Sequence, residues 1–480
     1  MKVLKEKLRS YLEQKSYNDD PIGDAMAMVS SIQNLVGIRN VFGDDKPSFT
    51  IQSVFATLLF AGSFIYVGQL SQLIYLVQVF PDKVETFKTI NCISASSVPL
   101  SKFFFMWCAR SHLKTVFELS RSGLSSIPDG SASKKKMLSA LKRARYVSWL
   151  VVANEAFTHV TYLLMPFLFT VFGNDRYLPT TPGETYGLSP KYETPFYEIT
   201  FVLTCVATAF SAINQTGYIV LFVTLICHEL GHFYAITEAL DEIHTILIKN
   251  ERSRNNVGEG TGRESVDDLL MFCVKHHQFL MHYHGKIREL YKVIFGAHFL
   301  SMTVVLVTTL QTMNAWDVRN TILTGVTGIM PLFLYCFGGE MLISAGVQMS
   351  TSVYGCGWEL MEAKQARVIL LMLCLSQRPL YLTAADIFVM NRETFGDVAQ
   401  VGKRADGLPD GKQSAPPMDT RNGGVTSPSV RRVAFRARLK EPIDHHRRGP
   451  KGLMFSRGCG VSAMRYRDLG TEQEKEQGGF

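Results

Sequence analysis

Long runs of apolar residues, separated by polar and basic stretches, fill this chain up to about residue 398. Inside a bilayer every backbone amide needs an internal partner, and about 20 residues of apolar helix cross a hydrocarbon core of roughly 30 Å. The pattern therefore predicts six membrane-spanning helices. They cover residues 49–79, 84–107, 147–172, 196–227, 293–313 and 321–347. A further apolar stretch, 368–375, is too short to cross by itself.

Helical spacing of apolar residues continues past span four and precedes span five. After span four these residues are Leu230, Phe233, Ile236, Leu240, Ile243 and Leu247. Such spacing is typical of an amphipathic helix. We therefore predict two long cytoplasmic helix extensions within 228–290, joined by the Asn- and Gly-rich loop 250–262.

Lys and Arg are distributed unevenly among the segments between the spans. They are frequent in the N-terminal segment 1–48 and in the loops after spans two and four, and they are sparse in the alternate loops. Basic residues mark the cytoplasmic side. The N-terminus is therefore expected inside the cell, which is the reverse of a G-protein-coupled receptor. The outer loop 173–195 also lacks the cysteine that such receptors usually bridge there, and no disulfide framework is expected.

The composition changes after residue 398. Residues 400–480 hold sixteen Lys/Arg against nine Asp/Glu, so this tail carries +7 of the formal net charge of +8. It contains no apolar stretch of spanning length, and its composition is typical of a disordered segment. The basic balance therefore belongs to the tail 399–480, and no nucleic-acid partner is expected.

One motif suggests metal chemistry. His228, Glu229 and His232 form an H-E-x-x-H sequence, which on a helix can bind Zn²⁺ through two imidazoles and place the carboxylate beside a metal-bound water. A third protein ligand is missing, because Ala235 and Glu238 stand where a metzincin has Gly and His. An intramembrane zinc metalloprotease is therefore the alternative hypothesis. We expect no metal, no cofactor and no enzymatic activity; the two imidazoles are interpreted as polar residues that bond to their neighbours at the membrane boundary.

Two further groups of polar residues have competing interpretations. A second histidine group, at positions 276, 277, 282 and 284, spreads over more than one helix face, which favours solvated or networked side chains over a metal site. Spans three to six carry Ser, Thr, Asn and Gln, which either bond helix to helix or provide polar contacts in a mostly apolar pocket for a small ligand.

The segment after span six resembles the C-terminal signature of insect odorant receptors. It reads Tyr354-Gly355-Cys356-Gly357-Trp358, then residues 367–375, then Gln377-Arg378-Pro379-Leu380-Tyr381-Leu382-Thr383-Ala384 and Glu393-Thr394-Phe395. The order and spacing of these pieces carry the resemblance, which covers about residues 48–398. In that family a His at the foot of span four, followed by a Gly and an aromatic residue, is ordinary, and this explains the zinc-like motif.

The resemblance implies an all-α, polytopic membrane bundle of the insect odorant receptor type, with seven helices and a cytoplasmic N-terminus. It implies a tuning subunit that binds small volatile odorants and, in a heterotetramer with the odorant receptor co-receptor, gates a cation channel in the plasma membrane of olfactory sensory neuron dendrites. Spans two, three, four and six would form the pocket. The expected ligand contacts are Ile93, Ser97, Thr158, Tyr162, Phe201, Thr204 and Thr324. Within 348–398, the resemblance implies a subunit anchor that includes Tyr354, Trp358, Arg378 and Pro379.

The chain departs from the family pattern after Phe395. A family member continues with about 20 apolar residues that form the pore-lining half of helix seven, whereas this chain continues as the polar tail. The bundle 49–347 is therefore expected to be followed by an incomplete last helix. We hypothesise that residues from about Gly396 onward derive from a retained intron, a frame change or a fused exon.

Overall fold

A computed structural model describes residues 21–39, 41–42, 50–172, 176, 178, 185–254, 263–312 and 318–397. The residues between and beyond these ranges, including the tail 399–480, lie outside the described part of the chain. The helices are α1 (Pro21–Asn34), α2 (Ile51–Ile65), α3 (Ser71–Val79), α4 (Lys83–Cys108), α5 (Arg110–Ser125), α6 (Ala132–Phe172), α7 (Phe196–Arg254), α8 (Arg263–Thr312), α9 (Val318–Tyr354) and α10 (Ala363–Ser376). A π-helical turn, Tyr66–Leu70, joins α2 to α3, and a short 3-10 turn, Trp358–Leu360, precedes α10.

The predicted membrane helices are present. Within the described ranges, five helical segments are long and apolar enough to cross a bilayer, and the pair α4 and α5, bent by 71°, gives a sixth if it is taken as one span. Span one is α2, the π turn and α3 in sequence; span two is α4. The prediction of an all-α membrane bundle is confirmed, apart from one two-residue antiparallel strand pair, β1 (Thr383–Ala384) and β2 (Phe388–Val389).

Spans four and five belong to helices much longer than a bilayer is thick. Helix α7 has 59 residues and α8 has 50, so at 1.5 Å per residue they extend about 88 Å and about 75 Å. A hydrocarbon core of roughly 30 Å covers less than half of either helix. The predicted helical extensions are therefore confirmed as continuous helices, ending at Arg254 and beginning again at Arg263.

Helices α6 and α7 are antiparallel neighbours with a defined register. The Ser133 hydroxyl donates to the Ala235 carbonyl at 2.9 Å, and a Cβ on Gly231 would clash with the Met137 sulfur. Glycine at this position leaves room for the Met137 side chain between the two helices. The glycine of the H-E-x-x-H sequence therefore has a packing role.

The segment after α9 folds back onto the long helices. The two strands pair Thr383 with Val389, and the Ala385 amide donates to the Lys292 carbonyl of α8 at 2.7 Å. On α9, a Cβ at Gly339 would clash with the Met390 carbonyl, so glycine permits the returning chain to lie against that helix. The predicted anchor region 348–398 is thus a helical turn, a helix and a hairpin docked against the bundle, as far as Asp397.

Candidate functional site

A buried lysine lies among the spanning helices. Lys102, on α4, has no exposed surface, and its Nζ donates to Oε1 of Gln215 on α7. The same Nζ lies 5.1 Å from the centre of the Tyr218 ring and 5.6 Å from that of Tyr335. A cation in hydrocarbon is costly unless ring faces or an opposite charge compensate it. Glu155 on α6 interacts electrostatically with Lys102, so the compensation comes from three helices besides α4.

Unpaired polar atoms surround this lysine. Among the residues that the structure describes, no hydrogen-bond partner reaches the hydroxyls of Tyr218, Tyr291 and Tyr335 or either ring nitrogen of His298. The rings are in contact with one another: Tyr218 and Tyr291 centres are 5.6 Å apart, and those of His298 and Tyr335 5.3 Å. Each buried group without a partner costs about 1–3 kcal/mol. The lysine cluster, defined as Lys102, Gln215, Tyr218, Tyr291, Tyr335 and His298, therefore holds unused hydrogen-bonding capacity.

The register of α6 and α7 gives the depth of this cluster. Gln215 lies sixteen residues before Gly231, about 24 Å along α7, while Tyr146 lies nine residues beyond Met137, about 14 Å along α6. Because Met137 and Gly231 are level, the lysine cluster lies about 10 Å further into the bundle than Tyr146. Tyrosine and tryptophan favour the membrane–water boundary. Tyr146 and Trp149 are both exposed and mark that boundary. The lysine cluster therefore lies in the half of the hydrocarbon layer that is nearer to Tyr146.

The predicted pocket residues lie in the layer outward of the cluster. Ser97 and Ile93 precede Lys102 by five and nine residues on α4, and Thr204 precedes Gln215 by eleven on α7. These intervals are about 8, 14 and 17 Å of helix. On α6, Thr158 and Tyr162 fall in the same layer. Thr204 is buried, and the remaining described members are half-buried: Ile93, Ser97, Thr158, Tyr162 and Phe201. The Thr324 side chain lies outside the described residues.

Most hydroxyls of this predicted set bond to their own helices. Thr158 donates to the Asn154 carbonyl and Thr204 to the Thr200 carbonyl, both at 2.8 Å. Ser97 donates to the Ile93 carbonyl at 2.7 Å, and that carbonyl also accepts from Gln69 in the π turn at 3.2 Å. Bonding within and between helices therefore accounts for these hydroxyls. Contact of these residues with a ligand stays a prediction.

The lysine cluster was missed from sequence, although one signal was present. Lys102 is the one charged residue in the stretch 89–107 of span two, and charged residues within a span usually face a cavity or a partner. Its ring neighbours could not be found from sequence, because they come from α7, α8 and α9 and meet only in the folded bundle.

The H-E-x-x-H residues belong to a second buried cluster, below the boundary marked by Tyr146. Nδ1 of His284 lies 2.6 Å from Oε1 of Glu229, and Nδ1 of His232 lies 2.6 Å from Nε2 of His276. The Tyr283 and Ser120 hydroxyls share a hydrogen bond of 2.9 Å. We call these six residues and His228 the histidine cluster. Three residues of the second histidine group, positions 276, 277 and 284, are buried, so of the two predicted alternatives His276 and His284 follow the networked one and not the solvated one.

The pKa values of the histidines in this cluster shift in opposite directions. Desolvation lowers the pKa of His276 to about 4, and desolvation together with the neighbouring imidazoles lowers the pKa of His232 well below its usual value. For His284, desolvation also opposes the charged form, but the Glu229 carboxylate outweighs it and raises the pKa. Within the described chain, no three His, Cys, Asp or Glu side chains are arranged to hold a metal ion. Glu229 and His284 bind each other, and so do His232 and His276, while neither ring nitrogen of His228 has a hydrogen-bond partner among the described residues.

The predicted anchor residues are mostly exposed. Tyr354 ends α9 with its side chain 63% exposed, and Arg378 and Pro379 are also exposed after α10. Trp358 is half-buried and packs against the core. Three of the four side chains are thus available to another surface, although subunit contact itself stays a prediction.

Comparison with known proteins identifies the family. The family described as 7tm Odorant receptor matches residues 83–401. Odorant receptor 10a of Drosophila melanogaster is 24% identical over 65% of this chain and 78% of its own length, and Odorant receptor 22c is 23% identical over 51% and 62%. The structure is similar to that of the insect olfactory receptor OR5 from Machilis hrabei in complex with eugenol, with a TM-score of 0.64 and 16% identity over 81% of this chain and 98% of that chain. This family comprises receptors and not enzymes, and the chain is a multi-pass membrane protein that belongs to the 7tm odorant receptor family.

Proposed function

We propose that this chain is an odorant-binding subunit for small volatile organic compounds that carry a hydrogen-bond acceptor. The observation that carries the proposal is the lysine cluster below the predicted pocket layer. Its ammonium, three hydroxyls and one imidazole offer donors in a mostly apolar surrounding. A pocket with apolar walls and a few fixed polar groups selects ligands by matching acceptors to those donors. A carbonyl, ester or carboxylate at one end of the ligand would match them.

Ligand binding would act by shifting a conformational equilibrium. Lys102 connects α4 to α7 through Gln215, and the rings of Tyr218 and Tyr335 connect α7 to α9. A ligand shifts such an equilibrium only by the difference in its affinity for the two states. An acceptor that takes a hydrogen bond from Lys102 would compete with Gln215 and change the packing of these helices. The odorant thereby favours one arrangement of the bundle.

The channel itself would be formed together with the odorant receptor co-receptor. Family membership supports such a heterotetramer, located in the plasma membrane of olfactory sensory neuron dendrites. Exposed Tyr354, Arg378 and Pro379 would belong to the surface that joins subunits. Since residues 399–480 contain no apolar stretch of spanning length, this subunit would contribute no pore-lining helix, and current would depend on the co-receptor.

Odorant-evoked current tests the proposal directly. Cells would express the chain with and without the co-receptor and receive pairs of odorants that differ only in a carbonyl group. Lys102→Met should raise the half-maximal concentration of the carbonyl compound by about 10-fold or more, because a hydrogen bond to a charged group contributes about 1.5–3 kcal/mol. The hydrocarbon partner should be unaffected.

Lys88→Met is the matched control, since Lys88 lies on the same helix and pairs with Glu85 at 2.9 Å near the outer end. Equal loss of response to both members of each odorant pair would assign Lys102 a purely structural role. Absence of current with the co-receptor present would contradict the channel assignment.

Antibody access tests the orientation of the chain in the membrane. An epitope before residue 49 should be stained only after permeabilisation, whereas one within 183–193 should be stained on intact cells.

The origin of the tail is tested on transcripts. Sequencing antennal messages across the codons for residues 393–403 should reveal a form that continues with an apolar half-helix. If every transcript encodes the basic tail and the chain supports normal odorant-gated current, the hypothesis of a retained intron, a frame change or a fused exon is wrong.

A further inference from the structure

The exposed face of α6 has three successive levels along its length, which are apolar, aromatic and basic. At intervals of seven residues it presents Leu150, Phe157, Leu164 and Val171, all exposed, with Phe157 73% exposed. From Leu150 to Phe172 the helix rises about 33 Å, close to the roughly 30 Å of a hydrocarbon core. This part of the face therefore matches lipid acyl chains in both polarity and length.

Aromatic and basic residues follow on the same face toward the start of the helix. Tyr146 and Trp149 are exposed at the depth where amphipathic rings meet lipid headgroups. One helical turn further, Lys142 and Arg143 are exposed, and Arg143 is seven residues before Leu150. They lie about 5–6 Å beyond Tyr146 along the axis, which is headgroup depth. We call these four residues the headgroup surface.

The charge in this part of α6 is of one sign. Between Ala132 and Tyr146 the helix has six Lys or Arg residues, and its first acidic residue is Glu155. Near the start of the helix, Lys134 donates to the Leu124 carbonyl at 2.7 Å, and Lys136 pairs with Glu238 at 3.3 Å. Lys142 and Arg143 are exposed at headgroup depth. A neighbouring protein helix would not require this ordered series of apolar, aromatic and basic levels, whereas a lipid leaflet has the complementary series.

We propose that the headgroup surface of α6 binds an anionic phospholipid of the cytoplasmic leaflet. Its phosphate groups accept hydrogen bonds from Arg143 and Lys142, and its acyl chains lie along Leu150 and Phe157. Arginine suits this role because its planar guanidinium binds phosphate oxygens in pairs. Tyr146 and Trp149 lie between the two parts and fix the depth of the lipid. The site needs an acyl chain as well as a phosphate.

The test is lipid-dependent thermal stability of the purified full chain in a neutral detergent. Dioctanoyl phosphatidylinositol bisphosphate should raise the unfolding temperature in a saturable manner, and dioctanoyl phosphatidylcholine should not. Each basic residue at an anionic surface contributes about fivefold in affinity, so Lys142→Gln combined with Arg143→Gln should weaken binding by about 30-fold. Raised salt should weaken binding to the unchanged chain.

The matched control combines Lys249→Gln with Arg252→Gln, one lysine and one arginine that are exposed near the end of α7, far from the boundary at Tyr146. Its lipid affinity should equal that of the unchanged chain. Equal weakening in the control would show a nonspecific charge effect and overturn the proposal. If free inositol trisphosphate stabilises the chain as well as the lipid does, the site binds a soluble phosphate and the lipid assignment is wrong. Should the double variant unfold when lipid is absent, the salt dependence and the trisphosphate comparison still decide the question.

Discussion

The lysine cluster and the histidine cluster are both buried and rich in ionisable groups, yet they differ in how their hydrogen bonds are used. In the histidine cluster, Glu229 pairs with His284, His232 with His276, and Tyr283 with Ser120, while among the described residues both ring nitrogens of His228, Oε2 of Glu229 and Nε2 of His232 have no hydrogen-bond partner. In the lysine cluster, three tyrosine hydroxyls and His298 have no partner among the described residues. Buried ionisable groups that bind one another, as Glu229 and His284 do, stabilise a fold, whereas a cluster whose tyrosine hydroxyls all lack a partner costs stability and suggests a ligand or a second state. The cluster without a recognisable motif is therefore the better functional candidate.

The largest expected effect comes from breaking the paired cluster. Glu229→Ala should lower the free energy of unfolding by about 3–5 kcal/mol, because it leaves the His284 imidazole buried without its carboxylate. Reduced surface expression and a lower unfolding temperature in detergent would measure this. Glu229→Gln keeps a hydrogen-bonding group and should cost much less.

Odorant responses separate this structural role from zinc chemistry. Glu229→Gln and His232→Gln should leave odorant-evoked current largely intact, and elemental analysis of the purified chain should find no stoichiometric zinc. One zinc per chain, lost on substitution of His232, would contradict the structural interpretation of the motif.

The pH dependence of stability should reflect the same cluster. His232 and His276 have lowered pKa values, so below pH about 6.5 the unfolded chain binds protons that the folded chain does not. Stability should fall as the pH drops from about 6.5 toward about 4, by up to about 1.4 kcal/mol per pH unit for each histidine. His276→Gln should reduce this fall when the free energy of unfolding is measured as a function of pH.

His284 should act in the opposite direction. Its pKa is raised, so its contribution is fully present below about pH 6.5 and is lost as the pH rises through the folded value. Glu229→Gln should remove this loss of stability at high pH. An unfolding profile that is flat between pH 4 and 8 would contradict both assignments.

Removal of single hydroxyls compares the two clusters most closely. Tyr283→Phe should destabilise the chain by about 1 kcal/mol, since it deletes the bond with Ser120 and leaves that hydroxyl without the partner. Tyr335→Phe should have no cost, or should stabilise by about 1 kcal/mol, because it removes a hydroxyl that has no partner. Thermal unfolding of the two variants side by side measures the difference. Equal destabilisation would show that Tyr335 has a partner in the working protein.

The last expected effect concerns ligand binding in the predicted pocket. Tyr162→Ala should shift odorant sensitivity by about tenfold without loss of surface expression, because an aromatic ring with a polar tip contributes both contact area and a hydrogen bond. Dose–response curves in cells that also express the co-receptor provide the measurement. Unchanged curves for Tyr162→Ala and for substitutions at Ile93, Ser97 and Phe201 would move the pocket elsewhere, toward the lysine cluster.

The sequence was sufficient where one physical rule governed a whole segment. Apolar length predicted the spanning helices, and continued helical spacing predicted that α7 and α8 extend past the bilayer. The signature around Trp358 and Arg378 pointed to the family that the comparison then identified. The sequence also showed that Ala235 and Glu238 cannot complete a metzincin site.

Other features required contacts between distant segments. That the second histidine group would be largely buried was not evident from its spacing, because burial depends on how α8 packs against α7. The bend of 71° after α4 and the docking of Ala385 on Lys292 likewise have no local signal. Lys102 was visible as a charge in an apolar run, but its environment of rings was not.

By itself the sequence predicted the number and length of the spanning helices, since bilayer thickness and the cost of charge in hydrocarbon act on each segment alone. Only the tertiary structure decided which polar residues are paired. Glu229 meets His284 across 55 positions of chain, and Lys102 meets Gln215 across 113. Such pairings depend on helix register, which small residues like Gly231 set by allowing close approach. For that reason a motif on one helix became part of the packed core, and the site with free donors formed among four helices.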